Sequence, residues 1–338
     1  MLSGRKYPIF ALASKHIMAV LKAVIIGSQR KAEIFQHLLA AFPEFEFSGF
    51  YDPDDGANTS MTGELLFTYE LCDMGDVFIF DRHTKNVLPT LLETLLKMGK
   101  HVLFDGYLTH DSGLAEKLMQ IQHEAQTCFQ ISNVLYNKPL FTTARQFIRK
   151  PRFIKIEKNC NSPKAGEFEK WLFFNLSQEM DIVLRLVESG IRRISAKPLF
   201  LFGNSPDLLN IHIEFDNDSV CHISLGRAIE NGLHKLRVFQ QDKLFHLDFS
   251  DNSLIELRPV NPTDQLSILQ ETDTHGVHEF IEINRPVMPF DSWKMELRNF
   301  HENIHKNLTP ATHLEHMEYV SSVMADIVDK VQRKYAEV

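Results

Sequence analysis

Short apolar runs alternate with helical periods through the first half of this chain and give way to closely spaced β runs after Pro151. Lys22 leads into the apolar residues 23–26, which read as a strand buried on both faces and end in a turn at Gly27. Ile34, Phe35, Leu38, Leu39 and Phe42 then recur at helical spacing as one apolar stripe, and Pro43 closes that helix. Residues 45–51 read as a second strand, ending at Asp52, and residues 66–71 as a weaker piece of helical or strand character. Residues 76–80 form a further buried strand, followed by a polar loop over 81–86. A helix with Val87, Leu91, Leu92, Leu95 and Leu96 on its buried side runs to a stop at Gly99. Strand 101–104, helix 112–125, strand 129–132 and helix 140–148 carry the alternation to Lys150. That order predicts an α/β fold, a doubly wound parallel sheet.

Beyond Pro151 the pattern predicts a strand at 153–157, a helix at 179–189, and short β runs at 209–215, 219–225, 233–240, 244–249 and 253–257. Asp216-Asn217-Asp218, Asn231-Gly232 and Asp251-Asn252 punctuate them with hairpin turn chemistry. A large, mainly antiparallel sheet in an α+β domain is expected. A polar connection over 259–278, a strand at 279–284 and helices at 292–306 and 310–334 complete the chain. The expected units are residues 18–150 and 151–338. Residues 1–17 stand outside both, as an N-terminal arm or because Met18 is the natural start. Their apolar run, 9–13, is too brief for a secretory signal.

Composition narrows the function classes. A length of 338 residues allows two cores, and 44% hydrophobic with 24% charged residues is ordinary for a globular protein. The net charge of −8 argues against nucleic acid as the main partner, and no apolar run approaches a membrane span. Cys72, Cys128, Cys160 and Cys221 are scattered without a C-x-x-C pair, which reads as reduced thiols in a cytoplasmic protein.

Strand, glycine turn, helix, strand and acidic residue, in that order, open a dinucleotide-binding unit of the Rossmann type. The usual G-x-G-x-x-G here reads Gly27-Ser28-Gln29-Arg30-Lys31-Ala32. Gly27 supplies the tight turn, and Ala32 is small enough for close helix–strand packing. Gln29 stands where a glycine normally lets the backbone approach a pyrophosphate, while Arg30 and Lys31 offer charge to it. Asp52 is placed to accept hydrogen bonds from a ribose, favouring NAD over NADP. Asp81, Arg82 and His83 follow a strand and are placed to line the cofactor crevice. The candidate cofactor-binding residues are therefore Gly27, Ser28, Gln29, Arg30, Asp52, Asp81 and Arg82.

The order of elements resembles the glucose–fructose oxidoreductase, inositol dehydrogenase and MocA family over nearly the whole chain after Met18. Met98-Gly99-Lys100-His101-Val102-Leu103 is similar to that family's A-G-K-H-V stretch, and Arg149-Lys150-Pro151-Arg152-Phe153-Ile154 to its G-x-P-R-x-I segment. Gln178-Glu179-Met180-Asp181, placed at a helix start, resembles the family's H-D-x-D pattern. The resemblance implies an NAD(P)-dependent oxidoreductase acting on a sugar or polyol, with C-terminal helices bracing the first domain and the second sheet joining subunits into a homodimer or larger assembly. It also implies departures. The family's E-K-P is here Asp105-Gly106-Tyr107, so the lysine is replaced by Gly106, and the acid/base histidine is replaced by Gln178. An alcohol that loses a hydride needs a group to take its proton, and neither glycine nor glutamine does that. Three outcomes follow: a non-catalytic ligand-binding or assembly protein, a proton relay through Tyr107 tuned by Asp105 or Asp181, or a substrate that needs no such lysine. The candidate catalytic residues are Asp105, Tyr107, Gln178 and Asp181.

His301 and His305, four apart, and His313 and His316, three apart, have a spacing that permits zinc. No Glu or Cys pattern accompanies them, and no metal is expected. His212 and His222 alternate with Ile211, Ile213, Cys221 and Ile223, which places them on the sheet face opposite the core, a polar solvated surface or, as the resemblance implies, a subunit interface.

Overall fold

The computed structural model describes residues 20–53, 69–81, 89–106, 112–161, 168–201, 206–227, 232–261, 264, 268–273 and 276–335. The expected N-terminal arm, Arg82, His83 and Tyr107 lie outside them.

Five parallel strands form the first sheet: β1 (Leu21–Ile26), β2 (Phe45–Tyr51), β3 (Val77–Phe80), β4 (His101–Phe104) and β5 (Phe129–Ile131). Their order is β2-β1-β3-β4-β5, so the winding reverses between β1 and β3. Helices α1 (Gln29–Leu39), α2 (Pro89–Lys97) and α3 (Ser112–Ala125) connect them. The all-apolar Val77–Phe80 is buried along its whole length, as a strand covered on both faces requires. α1 buries Ala32, Phe35 and Leu39. Ile34, read as part of that stripe, is 45% exposed, because the arc facing the sheet is narrower than the apolar pattern.

The second sheet has nine strands, β6 (Phe153–Cys160), β7 (Ile191–Leu199), β8 (Leu208–Phe215), β9 (Val220–Arg227), β10 (His234–Phe239), β11 (Leu244–Asp248), β12 (Ser253–Pro259), β13 (Ile268–Asp273) and β14 (Gly276–Asn284). The order is β13-β14-β12-β11-β10-β6-β9-β8-β7, and every neighbouring pair is antiparallel except β6 with β9. Two of these strands were not expected, and both are edges. β7 carries Arg192, Arg193 and Pro198, and a proline that donates no hydrogen bond is tolerated at an edge. β13 lies inside what read as a polar connection.

Four more helices complete the chain: α4 (Pro139–Ala144), α5 (Phe168–Val187), α6 (Ser292–Lys306) and α7 (Leu314–Tyr335). α4 is shorter than the expected 140–148, and α7 begins four residues later than expected. The larger correction is α5, which starts eleven residues before the predicted 179. Leu172, Leu176, Met180, Val183 and Val187 form its buried stripe, while the partly buried Trp171 and Phe173 extend the apolar pattern beyond it. Glu179 and Asp181 are consequently mid-helix, and Asp181 is no helix-start acid.

α5 and α7 cover one face of the nine-stranded sheet, packing Met180, Met324 and Ile327 against Ile154, Ile156, Ile211 and Val238. The C-terminal helices also reach the first sheet: Leu297 and Phe300 join the core on one of its faces, and Leu314 and Met317 join the other. His212 and His222 face each other on adjacent strands, with Ile211, Ile213, Cys221 and Ile223 buried beneath, so the expected alternation holds.

Candidate active site

Three strand ends of the parallel sheet converge where its winding reverses, the usual place for a ligand in such sheets. Gly27 leaves β1 with φ 152°, a conformation that side chains rarely permit. Its amide donates to the Tyr51 carbonyl at 2.8 Å, tying the turn to the end of β2 beside Asp52. Ser28 is the N-cap of α1 but makes no side-chain cap bond, so the helix N-terminus keeps donors to offer. Gln29 does not obstruct it. Its amide nitrogen donates to Glu33 Oε1 at 3.2 Å, one turn along the exposed face of α1, with Arg30 exposed beside it. At the neighbouring strand end Asp81 is buried and meets Lys31 Nζ at 3.2 Å. Lys31 lies 5.9 Å from the ring centroid of Trp293, whose indole stacks edge-on against Phe35.

Lys31 and Trp293 also line a cavity of about 370 Å³, a size suited to a small organic ligand. Asp105, Lys138, Lys158, Gln178, Glu179 and His234 line it. Asp105 follows β4 and is buried, its amide bonded to the Phe80 carbonyl at 2.9 Å. Gly106 takes φ 154°, so the backbone here suits glycine, and a lysine at this position would be strained. Another lysine lines the cavity. Lys158 lies on β6 in phase with the buried Ile154 and Ile156, and is paired across the ladder with His234 of β10. Both reach Glu179 of α5: Lys158 Nζ sits 2.7 Å from Oε1, and His234 Nε2 3.2 Å from the same oxygen. Lys158 also donates to the Asn175 carbonyl at 2.6 Å, and His234 packs on Phe249 at 4.5 Å between ring centroids. Burial pushes the Glu179 carboxyl up, but Lys158 and His234 together outweigh it and bring the pKa down to about 2.

The residues singled out from sequence divide accordingly. Gly27, Ser28, Gln29 and Arg30 form the first turn, Asp52 and Asp81 follow the two strands flanking β1, and Asp105 and Gln178 meet at the cavity. Asp181 stands apart, one turn further along α5. It accepts from Asn133, from Arg185 Nε at 2.6 Å, and lies 2.5 Å from His316 Nε2 of α7. Burial raises its pKa, yet the His316 hydrogen bond and the Arg185 charge leave it below the usual carboxylate value. Asp181→Asn is expected to lower stability by about 3 kcal/mol in urea denaturation, since Arg185 loses its buried counter-charge. Dinucleotide affinity should be unchanged. Equal stability of variant and parent would overturn this assignment.

Lys158, His234 and Lys138 were missed by sequence reasoning. The available signal was a lysine continuing the buried parity of Ile154 and Ile156 at the end of a strand. The four C-terminal histidines do not converge. His301 packs on Phe45 while His316 meets Asp181, and no cluster of three or more metal-binding side chains exists among the described residues.

No protein-family model matches the chain. A UDP-N-acetylglucosamine 3-dehydrogenase from Acidithiobacillus ferrooxidans is 20% identical over 164 residues, 48% of this chain and 52% of that protein. The match thus spans about half the length of this curated relative. Among solved structures, the enzyme of that name from Acidithiobacillus ferrooxidans superposes with a TM-score of 0.77 at 16% identity, over 94% of this chain and 99% of the other. An NAD-binding protein from Listeria innocua gives 0.70 at 15% identity, covering 94% and 98%. A dehydrogenase from Clostridium difficile gives 0.70 at 15% identity, covering 92% and 99%. The chain has their fold. At such identities it is the backbone that is shared, and it agrees with the resemblance read from residues 98–103 and 149–154. No helix among the described residues is long and apolar enough to cross a membrane.

Proposed function

We propose that this protein is a dinucleotide-dependent oxidoreductase acting on a hydroxyl-bearing small molecule of the sugar or polyol type, with an acid/base group different from the usual one. The observation that carries the reading is the Lys158–Glu179–His234 cluster lining a cavity that Lys31 of α1 also lines. The first turn suits a dinucleotide: a free α1 N-terminus, the exposed Arg30, and Gln29 drawn off towards Glu33. A bound nicotinamide would supply the hydride acceptor. The chain's own residues handle the proton. Glu179 takes a hydrogen bond from His234 Nε2–H, which fixes that tautomer and leaves Nδ1 as the basic nitrogen. The carboxylate then steadies the imidazolium formed when an alcohol proton is accepted, and Lys158 holds the carboxylate ionised.

Titration with NADH and NADPH, read by cofactor fluorescence and melting temperature, tests the first half. Saturable binding is expected to stabilise the fold by mass action. Gln29→Gly should change that affinity within about threefold only, because the side chain is already turned aside. Silence with both cofactors from a folded sample would leave a non-catalytic protein on this fold. A screen of sugars and polyols then tests the second half, and His234→Phe is expected to reduce turnover by roughly 10²–10⁴.

A further inference from the structure

Among the described residues, Lys138 makes no ion pair. It sits half-buried at the N-cap of α4, lining the cavity beside Lys158, with its ammonium 5.3 Å from the centroid of the Phe249 ring. No carboxylate, carbonyl or hydroxyl among the described residues bonds or pairs with that ammonium. The surrounding charges explain why this is costly. Lys158 is matched by Glu179, and Lys31 by Asp81. Burial and the neighbouring Lys158 both draw the Lys138 pKa below its ordinary value, and Glu179 only partly restores it. The Phe249 ring offsets only part of the cost of holding an ammonium half out of water. Lys138 shares the cavity lining with Lys31 and Lys158, and with the carboxylates of Asp105 and Glu179. Lys158 directs donors to Glu179 and the Asn175 carbonyl, and an ammonium has three.

We infer that the cavity binds an anionic group of its ligand, a carboxylate or a phosphate, between Lys138 and Lys158. On the oxidoreductase reading above, the substrate is then a hydroxy compound bearing that group rather than a neutral polyol. Phe249 supports the arrangement, since its ring covers one side of Lys138 and packs against His234, placing the anion site next to the proton acceptor. A group held there would orient the neighbouring carbon chain towards His234.

The test is calorimetric titration of the apo-protein with gluconate, glucose 6-phosphate and glucose, alongside a separate NADH titration. At least one anion is expected to bind tenfold or more tightly than glucose, and to weaken as sodium chloride is raised. Tighter gluconate means a carboxylate site, tighter glucose 6-phosphate a phosphate site. Lys138→Gln should reduce the favoured anion's affinity tenfold or more while leaving NADH affinity unchanged, and should melt at or above the parent temperature. Equal binding of glucose, no binding of either anion, or anion binding indifferent to Lys138→Gln would each overturn the inference. Anion binding without NADH binding would uphold the subsite and remove the oxidoreductase reading, so the two fail separately.

Discussion

Lys158→Met is expected to lower stability at neutral pH by about 3 kcal/mol, because it leaves Glu179 buried with His234 as its remaining partner. The same magnitude follows from titration. A carboxyl with a pKa of about 2 when folded and an ordinary value of 4.5 contributes about 3 kcal/mol above pH 4.5. The sign is that of a depressed acid. The unfolded chain binds the proton first as pH falls, so this stability drains away between about pH 4.5 and about pH 2. In Lys158→Met the carboxyl loses its chief stabilising charge, titrates higher, and the acid-dependent part of the unfolding curve moves towards neutral pH. Urea denaturation of both proteins at pH 7 and pH 3 measures this directly. The double variant Lys158→Met/Glu179→Leu should recover most of the loss, since removing both charges leaves no orphan in the core. A single variant as stable as the parent at pH 7 would show that Glu179 is solvated well enough without the lysine.

That pair also marks where sequence reading stops. The parallel sheet was legible because its strands are short, mostly apolar runs bounded by a turn or a helix stop, with β2 alternating instead, and β2, β4 and α3 have the expected limits. The first turn was equally legible, since Gly27 and its flanking strand and helix are contiguous. The cavity was not. Lys138, Lys158, Glu179 and His234 come from four elements, and only the ladder pairing of β6 with β10 and the full length of α5 bring them together. Gly106 and Gln178 were read as losses at the positions where family members keep their lysine and histidine. The fold places another lysine and another histidine at the same cavity, which a linear comparison of motifs does not register. α5 was mis-started because its aromatics obscure the period, and that error put Glu179 and Asp181 in one group when they face different partners.

Glu296→Gln is expected to leave stability nearly unchanged at pH 5 and raise it by about 2 kcal/mol at pH 8. Glu296 lies on α6 with no exposed surface, accepting from Gln130 Nε2 at 2.7 Å and Asn137 Nδ2 at 2.5 Å. Burial raises its pKa to about 7; the two amide donors work against this, and the charges of Asp105 and Asp181 add to it. A carboxyl raised in this way favours the folded state at low pH. Between about 4.5 and about 7 the folded protein keeps a proton that the unfolded chain has released, so stability falls as pH rises and then levels off. Glutamine imitates the protonated form at every pH and removes that slope. It needs one acceptor in place of a donor, and the route is open at Asn137. The Asn299 amide reaches Asn137 Oδ1 at 3.4 Å, a weak bond beside the 2.8 Å contact from Asn303 to Gln130, so Asn137 can turn over at small cost. Urea denaturation of both proteins across pH 5 to 8 isolates the effect, because histidines and other groups contribute equally to each. Parallel curves would mean that Glu296 is ionised throughout, held by its two amide donors alone. A gap that opens above pH 5 and becomes constant above about pH 7 would show a carboxyl titrating on α6.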